Sequence, residues 1–98
     1  MKYAKYELMP TSDNQKSYYG KATVSIINGW KVLTSYTTEV CAIDPQGNFH
    51  RFWNGYSATT TRHINSFIVQ NGIDGGGKKW WESLPIERFE WPKVYAGF

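Results

Sequence analysis

The stretch Trp53-Asn54-Gly55-Tyr56-Ser57-Ala58-Thr59-Thr60-Thr61-Arg62-His63 gathers the side chains best suited to chemistry in this chain. Ser57, Thr59, Thr60 and Thr61 supply hydroxyls, Arg62 and His63 supply a fixed and a titratable donor, and Trp53 and Tyr56 offer flat apolar faces. A helix starting at Ser57 would leave its first N–H groups unpaired and carry a partial positive charge there. Hydroxyls, free N–H groups and an arginine make an anion or phosphate cradle, and rings beside it stack on a base. The same residues admit an architectural reading, in which Ser57 caps the helix, the threonines satisfy its first turn, and Trp53 and Tyr56 seal the sheet-to-helix corner. A second constellation, Lys78-Lys79-Trp80-Trp81, follows three glycines. It suits a nucleic-acid strand or an acidic partner surface. Adjacent helical residues cannot both face inward, so one of the two tryptophans belongs to the core and the other lies at least partly outside. The candidate ligand-binding residues are therefore Trp53, Tyr56, Ser57, Thr59, Thr60, Arg62, His63, Lys78, Lys79 and Trp80.

Catalytic arrangements are harder to assemble. His63 would share a helix side with Thr59, Thr60 and Phe67, and a histidine so placed is more often buried and hydrogen-bonded than catalytic. His50, on a neighbouring strand, could approach it across the sheet, but two histidines without nearby Asp, Glu or Cys make a poor metal site. A Ser57 or Thr59 nucleophile with His63 as base has nothing to orient the imidazole, and Gly55-Tyr56-Ser57-Ala58-Thr59 departs from a GxSxG elbow at its last position. The acids are scattered, with Glu87 and Glu90 in an apolar-aromatic tail, so no carboxylate pair is evident. Gly75-Gly76-Gly77-Lys78 lacks the spacing of a P-loop. The expectation is a protein that is not an enzyme, with no catalytic residue, metal or cofactor.

These side chains need a frame, and the hydrophobic pattern supplies an α+β one. Tyr3–Met9 reads as a first strand, followed by a turn-rich loop over residues 10–20. Two β-rich runs flank Asn28-Gly29, the strongest hairpin signal in the chain, and that register sets Ile27 opposite Trp30 and Val24 opposite Leu33. One face then carries Ala22, Val24, Ile26 and Leu33 with Lys31 at its edge, and is expected to meet a helix. Tyr36-Thr37-Thr38 reads as a corner or bulge before Glu39–Ile43, and Asp44-Pro45-Gln46-Gly47-Asn48 as a loop before a return strand, Phe49–Trp53. From Ser57 to Asn71 the period becomes helical, with Ile64, Phe67 and Ile68 as the apolar stripe, Ser57 as N-cap and Asn71-Gly72 as the stop. Lys78–Leu84 fits one or two further turns. The remainder adds an edge strand or wraps the body, Pro92 argues against a central strand there, and Trp91 and Phe98 are placed to cover an exposed tryptophan. The expected architecture is a single domain over residues 1–98: an antiparallel meander of four to five strands with one main helix packed on one face.

Composition bounds the partners. The 98 residues hold 11 Lys+Arg against 8 Asp+Glu, a net charge of +3, which is well below what a dedicated duplex-DNA binder carries. Five Trp, seven Tyr and five Phe exceed what a core of this size hides, so some rings must be exposed, as in binding surfaces, and they leave room for a homodimer. Cys41 is alone, which excludes an internal disulfide framework. No apolar run is long enough to span a membrane and no signal peptide is visible, so a soluble, cytoplasmic protein is expected.

Residues 18–85 resemble a family of small proteins from bacteriophages and Gram-positive prophages or mobile elements, carried as a domain of unknown function. The resemblance rests on Ser35-Tyr36 with Thr38, on Trp53-Asn54-Gly55-Tyr56-Ser57 with Thr59-Thr60, on His63-Ile64, Phe67 and Gly72, and on Lys78-Lys79 with Trp81. It transfers no catalytic residue. It implies a phage or prophage accessory protein in the host cytoplasm, acting by binding a host protein or defence complex, with anti-defence inhibition as one such role. The alternative is a binder of a phosphate-bearing ligand, either single-stranded nucleic acid or a nucleotide, at the helix start.

Overall fold

In the computed structural model, residues 3–10, 18, 20–88 and 90 are described. Five strands, β1 (Tyr3–Glu7), β2 (Ala22–Ile27), β3 (Trp30–Ser35), β4 (Thr38–Ile43) and β5 (Phe49–Arg51), precede two helices, α1 (Ala58–Gln70) and α2 (Gly77–Ser83). The strands pair in sequence order, each antiparallel to the last. The chain is thus an α+β meander.

The β2–β3 hairpin forms in the expected register, Ile27 against Trp30 and Val24 against Leu33. Asn28 and Gly29 take φ of 50° and 84°, the positive values that a type I′ turn demands of both central residues. Strand alternation then divides the apolar residues between two faces. Ala22, Val24, Leu33, Cys41 and Ile43 pack with Ile64, Phe67, Ile68 and Trp81 in the main core. Ile27, Trp30, Val32 and Ala42 form a smaller cluster with Phe52. Lys31, expected at the edge of the helix-covered face, reaches Asn71 Oδ1 at the end of α1 over 2.7 Å.

Where strand ends differ from the sequence expectation, local geometry gives the reason. Tyr36 and Thr37 form a two-residue turn, so β4 begins at Thr38, opposite Ser35. The bulge falls further on, between the pairs Leu33–Cys41 and Thr34–Glu39, and makes Val40 the extra residue. Val40 and Cys41, though consecutive, therefore both join the main core. Burial pushes the Cys41 thiol pKa well up, which keeps it protonated and unreactive. Strand β5 stops at Arg51 rather than Trp53, although Phe52 N still donates to Val40 O at 2.9 Å. Trp53 instead turns onto the core and lies so close to Gly55 that a Cβ there would collide with its ring.

Helix α1 starts and stops as its sequence signals direct. Ser57 Oγ accepts from Thr60 N at 3.1 Å as the N-cap. At the far end Ile73 N donates to Ile68 O (2.9 Å) and Gly72 N to Val69 O (3.3 Å), with Gly72 at φ 68°. This is a Schellman stop, and Ile73 packs back on the core. Beyond α2, Ile86 forms a single parallel bridge with Arg51. The expectations placed on Trp91, Pro92 and Phe98, and on most of the loop over residues 10–20, lie outside the described residues.

Candidate functional site

The first turn of α1 lies against the β3–β4 turn, and a buried polar network joins them. Alternation puts Ser35 on the helix-covered face, and helical spacing puts Thr60 and His63 on the side that meets it. Ser35 Oγ stands 2.8 Å from His63 Nδ1 and 3.1 Å from Thr60 Oγ1. Tyr18 closes the next turn, its hydroxyl 2.7 Å from Ser66 Oγ and donating to Arg62 O at 3.1 Å. Its ring packs edge-on against His63, with centroids 4.4 Å apart. His63 is only 1% exposed. Burial, and secondarily the charge of Lys21, push its pKa below 6.5, so it is neutral at pH 7. The imidazole does have an orienting group, contrary to the sequence expectation: it is Ser35, a strand residue distant in sequence.

Above this network sits Tyr36, whose φ is 57°. The first central position of a two-residue turn with positive φ ordinarily takes glycine, and a bulky residue there is strained. The side chain does not earn its place by burial, since Tyr36 is 53% exposed. Its ring centre lies 6.0 Å from that of His63, and Lys21 Nζ stands 5.8 Å from it. On the other side of the helix start, Tyr56 is 43% exposed with Lys78 Nζ 5.6 Å from its ring centre. The structure thus joins the two constellations that the sequence separates, through Tyr56 and Lys78.

The remaining candidates divide clearly. Thr59, Arg62 and Lys79 are exposed. Ser57 is exposed, but its hydroxyl is committed to the cap, and Thr60 is buried with its hydroxyl on Ser35. Trp53 is half-buried against the core. Trp80 is also half-buried, its ring 5.2 Å from Phe49, whereas Trp81 is the buried partner and donates from Nε1 to Gly55 O at 2.9 Å. The hydroxyl cradle is therefore halved: two of its four members are spent inside the fold.

His50 does not approach His63. It pairs with Ala42 and so faces away from α1, stacking near Trp30 at 5.2 Å. There it does meet carboxylates that sequence reasoning missed. Nε2 lies 2.8 Å from Asp44 Oδ2, and Nδ1 lies 2.9 Å from both oxygens of Glu87. Burial alone would lower the His50 pKa, but the hydrogen bonds to Asp44 and Glu87 and their charges outweigh it and raise the value above 6.5. For Asp44, burial acts upward, while bonds from His50, Asn48 and Gln46 prevail and lower its pKa below 3.8. The two ring nitrogens point apart, so these carboxylates cannot converge on one ion, and no group of three His, Cys, Asp or Glu suited to a metal occurs among the described residues. No helix among those residues is long and apolar enough to cross a membrane.

Fold and site together define a small α+β protein with a buried hydroxyl–imidazole network beneath a surface of paired tyrosines and lysines. The chain belongs to a family of unknown function (DUF8033), whose sequence profile matches residues 6–83. No curated protein and no solved structure matches it.

Proposed function

We propose that this chain is a non-enzymatic binding protein that docks on an acidic surface of a partner protein through Tyr36, Tyr56, Lys21 and Lys78. Tyr36 carries the reading, because an exposed aromatic ring is kept at a backbone position that would favour glycine. Strain of this kind is stored where a side chain is needed for contact, and exposed tyrosines flanked by cations make good interface anchors. The two tyrosine–lysine pairs lie on either side of the same helix start, linked through His63, Ser35, Thr60 and Ser57. The resemblance to phage and prophage proteins extends this reading to an accessory protein acting in the host cytoplasm on a host protein or defence complex, with anti-defence inhibition as the role. The test is affinity capture from lysate of the host bacterium, followed by rebinding of the recovered protein in pure form. The wild type is expected to retain it, and Tyr36→Asn, which suits the positive φ but removes the ring, is expected to lose it. Equal retention by both would overturn the reading.

The alternative, a phosphate-bearing ligand at the helix start, draws on one observation: the first turn of α1 holds no acidic residue, while Lys78 stands beside Tyr56. Titration of the intrinsic tryptophan fluorescence with nucleotides and a short single-stranded oligonucleotide tests it. Saturable, salt-weakened quenching that Arg62→Ala abolishes would favour it.

A further inference from the structure

Two neighbouring residues of β5 fasten the segment after α2 from opposite faces of the sheet. On the α1 side Arg51 donates from Nη1 to Trp81 O (2.9 Å) and Leu84 O (3.1 Å), and from Nε to Trp53 O (2.9 Å). Along the strand edge, Glu87 N donates to Arg51 O at 2.7 Å, beside the parallel bridge of Ile86. On the far face His50 holds the Glu87 carboxylate by Nδ1 and Asp44 by Nε2.

An ionised carboxylate only accepts hydrogen bonds, so serving two of them requires both imidazole nitrogens to carry protons. A neutral ring has one N–H and must turn a lone pair toward the other carboxylate. The two partners are not equally dependent on it. Asp44 Oδ1 also accepts from Gln46 N and Asn48 N, both at 2.9 Å, and Oδ2 from Asn48 Nδ2 at 3.2 Å. The Glu87 carboxylate has no other hydrogen-bond partner among the described residues. Loss of the proton therefore falls on Glu87. The segment has little else to hold it there, since Ile86 is 55% exposed.

We propose that residues 84–88 form a proton-operated strap: the His50 imidazolium holds it closed along the outer edge of β5, and loss of the proton releases it and bares that edge. The charged groups facing His50 are Asp44 from the β4–β5 loop and Glu87 from the strap, while Trp30 and Phe52 pack on the ring without charge. Since these contacts lift the His50 pKa above 6.5, the closed state is fully favoured below that pH and is lost as pH rises through the lifted value.

Side-chain nitrogen NMR of the histidines, with amide hydrogen exchange at Glu87 corrected for intrinsic rates, tests this on the whole chain. His50 is expected to hold protons on both nitrogens at about pH 6 and to titrate above its ordinary value. Opening at the Glu87 amide should rise across that titration by about tenfold for each pKa unit that the closed strap adds. Glu87→Gln should lower the His50 pKa and flatten the pH step, while the Thr61 amide in α1 keeps its protection. A neutral His50 ring at about pH 6, or an unchanged pH step in Glu87→Gln, would overturn the proposal. Should that variant fail to fold, the wild-type titration decides alone, because ring protonation and opening must move together.

Discussion

Ser35 Oγ lies 2.8 Å from His63 Nδ1, and this bond ties the end of β3 to the first turns of α1. Because the same hydroxyl also meets Thr60 Oγ1, one serine organises the floor beneath the exposed Tyr36. Ser35→Ala would leave both partners buried without it, at a cost of about 1–3 kcal/mol. Urea unfolding should then show a lower midpoint with an unchanged slope, the signature of altered stability in an intact two-state fold.

Tyr36 presents the opposite case. Removing its ring costs little buried area, and Asn tolerates the positive φ better. Tyr36→Asn is therefore expected to unfold at the same or a higher urea concentration than the wild type, with a gain of up to about 1 kcal/mol. The combination of kept stability and lost partner capture separates a contact role from a folding role.

The two histidines should bend the stability–pH curve in opposite directions. His63 has a folded pKa below its unfolded value, so its contribution is present above pH 6.5 and is lost as pH falls through the folded pKa. His50 has a raised pKa, so its contribution is present below pH 6.5 and is lost as pH rises. Thermal unfolding across pH 4 to 9 (about that range) should show both limbs, and His50→Gln should remove only the alkaline one.

Arg51 is buried, and its guanidinium reaches three carbonyls while lying 4.8 Å from the centre of the Trp81 ring. Lysine lacks that planar fork. Arg51→Lys should lose most of these bonds and cost about 2–4 kcal/mol, measurable by chemical unfolding, with the loosening read as faster exchange at Leu84 and Glu87.

Much of the frame was legible because its signals are local. Asn28-Gly29 set the hairpin register, and Ser57 and Asn71-Gly72 marked both ends of α1, each through backbone geometry that few residues satisfy. The site was legible only in part. Helical spacing pointed to Thr60 and His63 but not to Ser35, whose inward direction follows from the hairpin register once that register is extended to its last pair, Ala22–Ser35. Tyr18 gave no signal, since it lies beside a turn-rich loop that carries no periodicity. Tyr36 was visible as part of a turn, while its positive φ is a property of the closed β3–β4 hairpin. The His50 cluster escaped for a topological reason. Asp44 and Glu87 are 43 residues apart in number, and only the bridge of Ile86 to the edge of β5 brings them to one imidazole. The mistaken approach of His50 to His63 has the same source: the pairing with Ala42 decides the face, and the strand's own sequence does not.

The central claim is that the partner meets the tyrosine–lysine surface at the start of α1. Amide chemical-shift mapping with the captured partner tests it most directly. The account predicts that Lys21, Tyr36, Tyr56, Thr59 and Lys78 shift or broaden together, while the exposed edge residues Ala4 and Glu7 stay still. Perturbation confined to β1 or to the strap, with Tyr36 and Tyr56 unmoved, would contradict it.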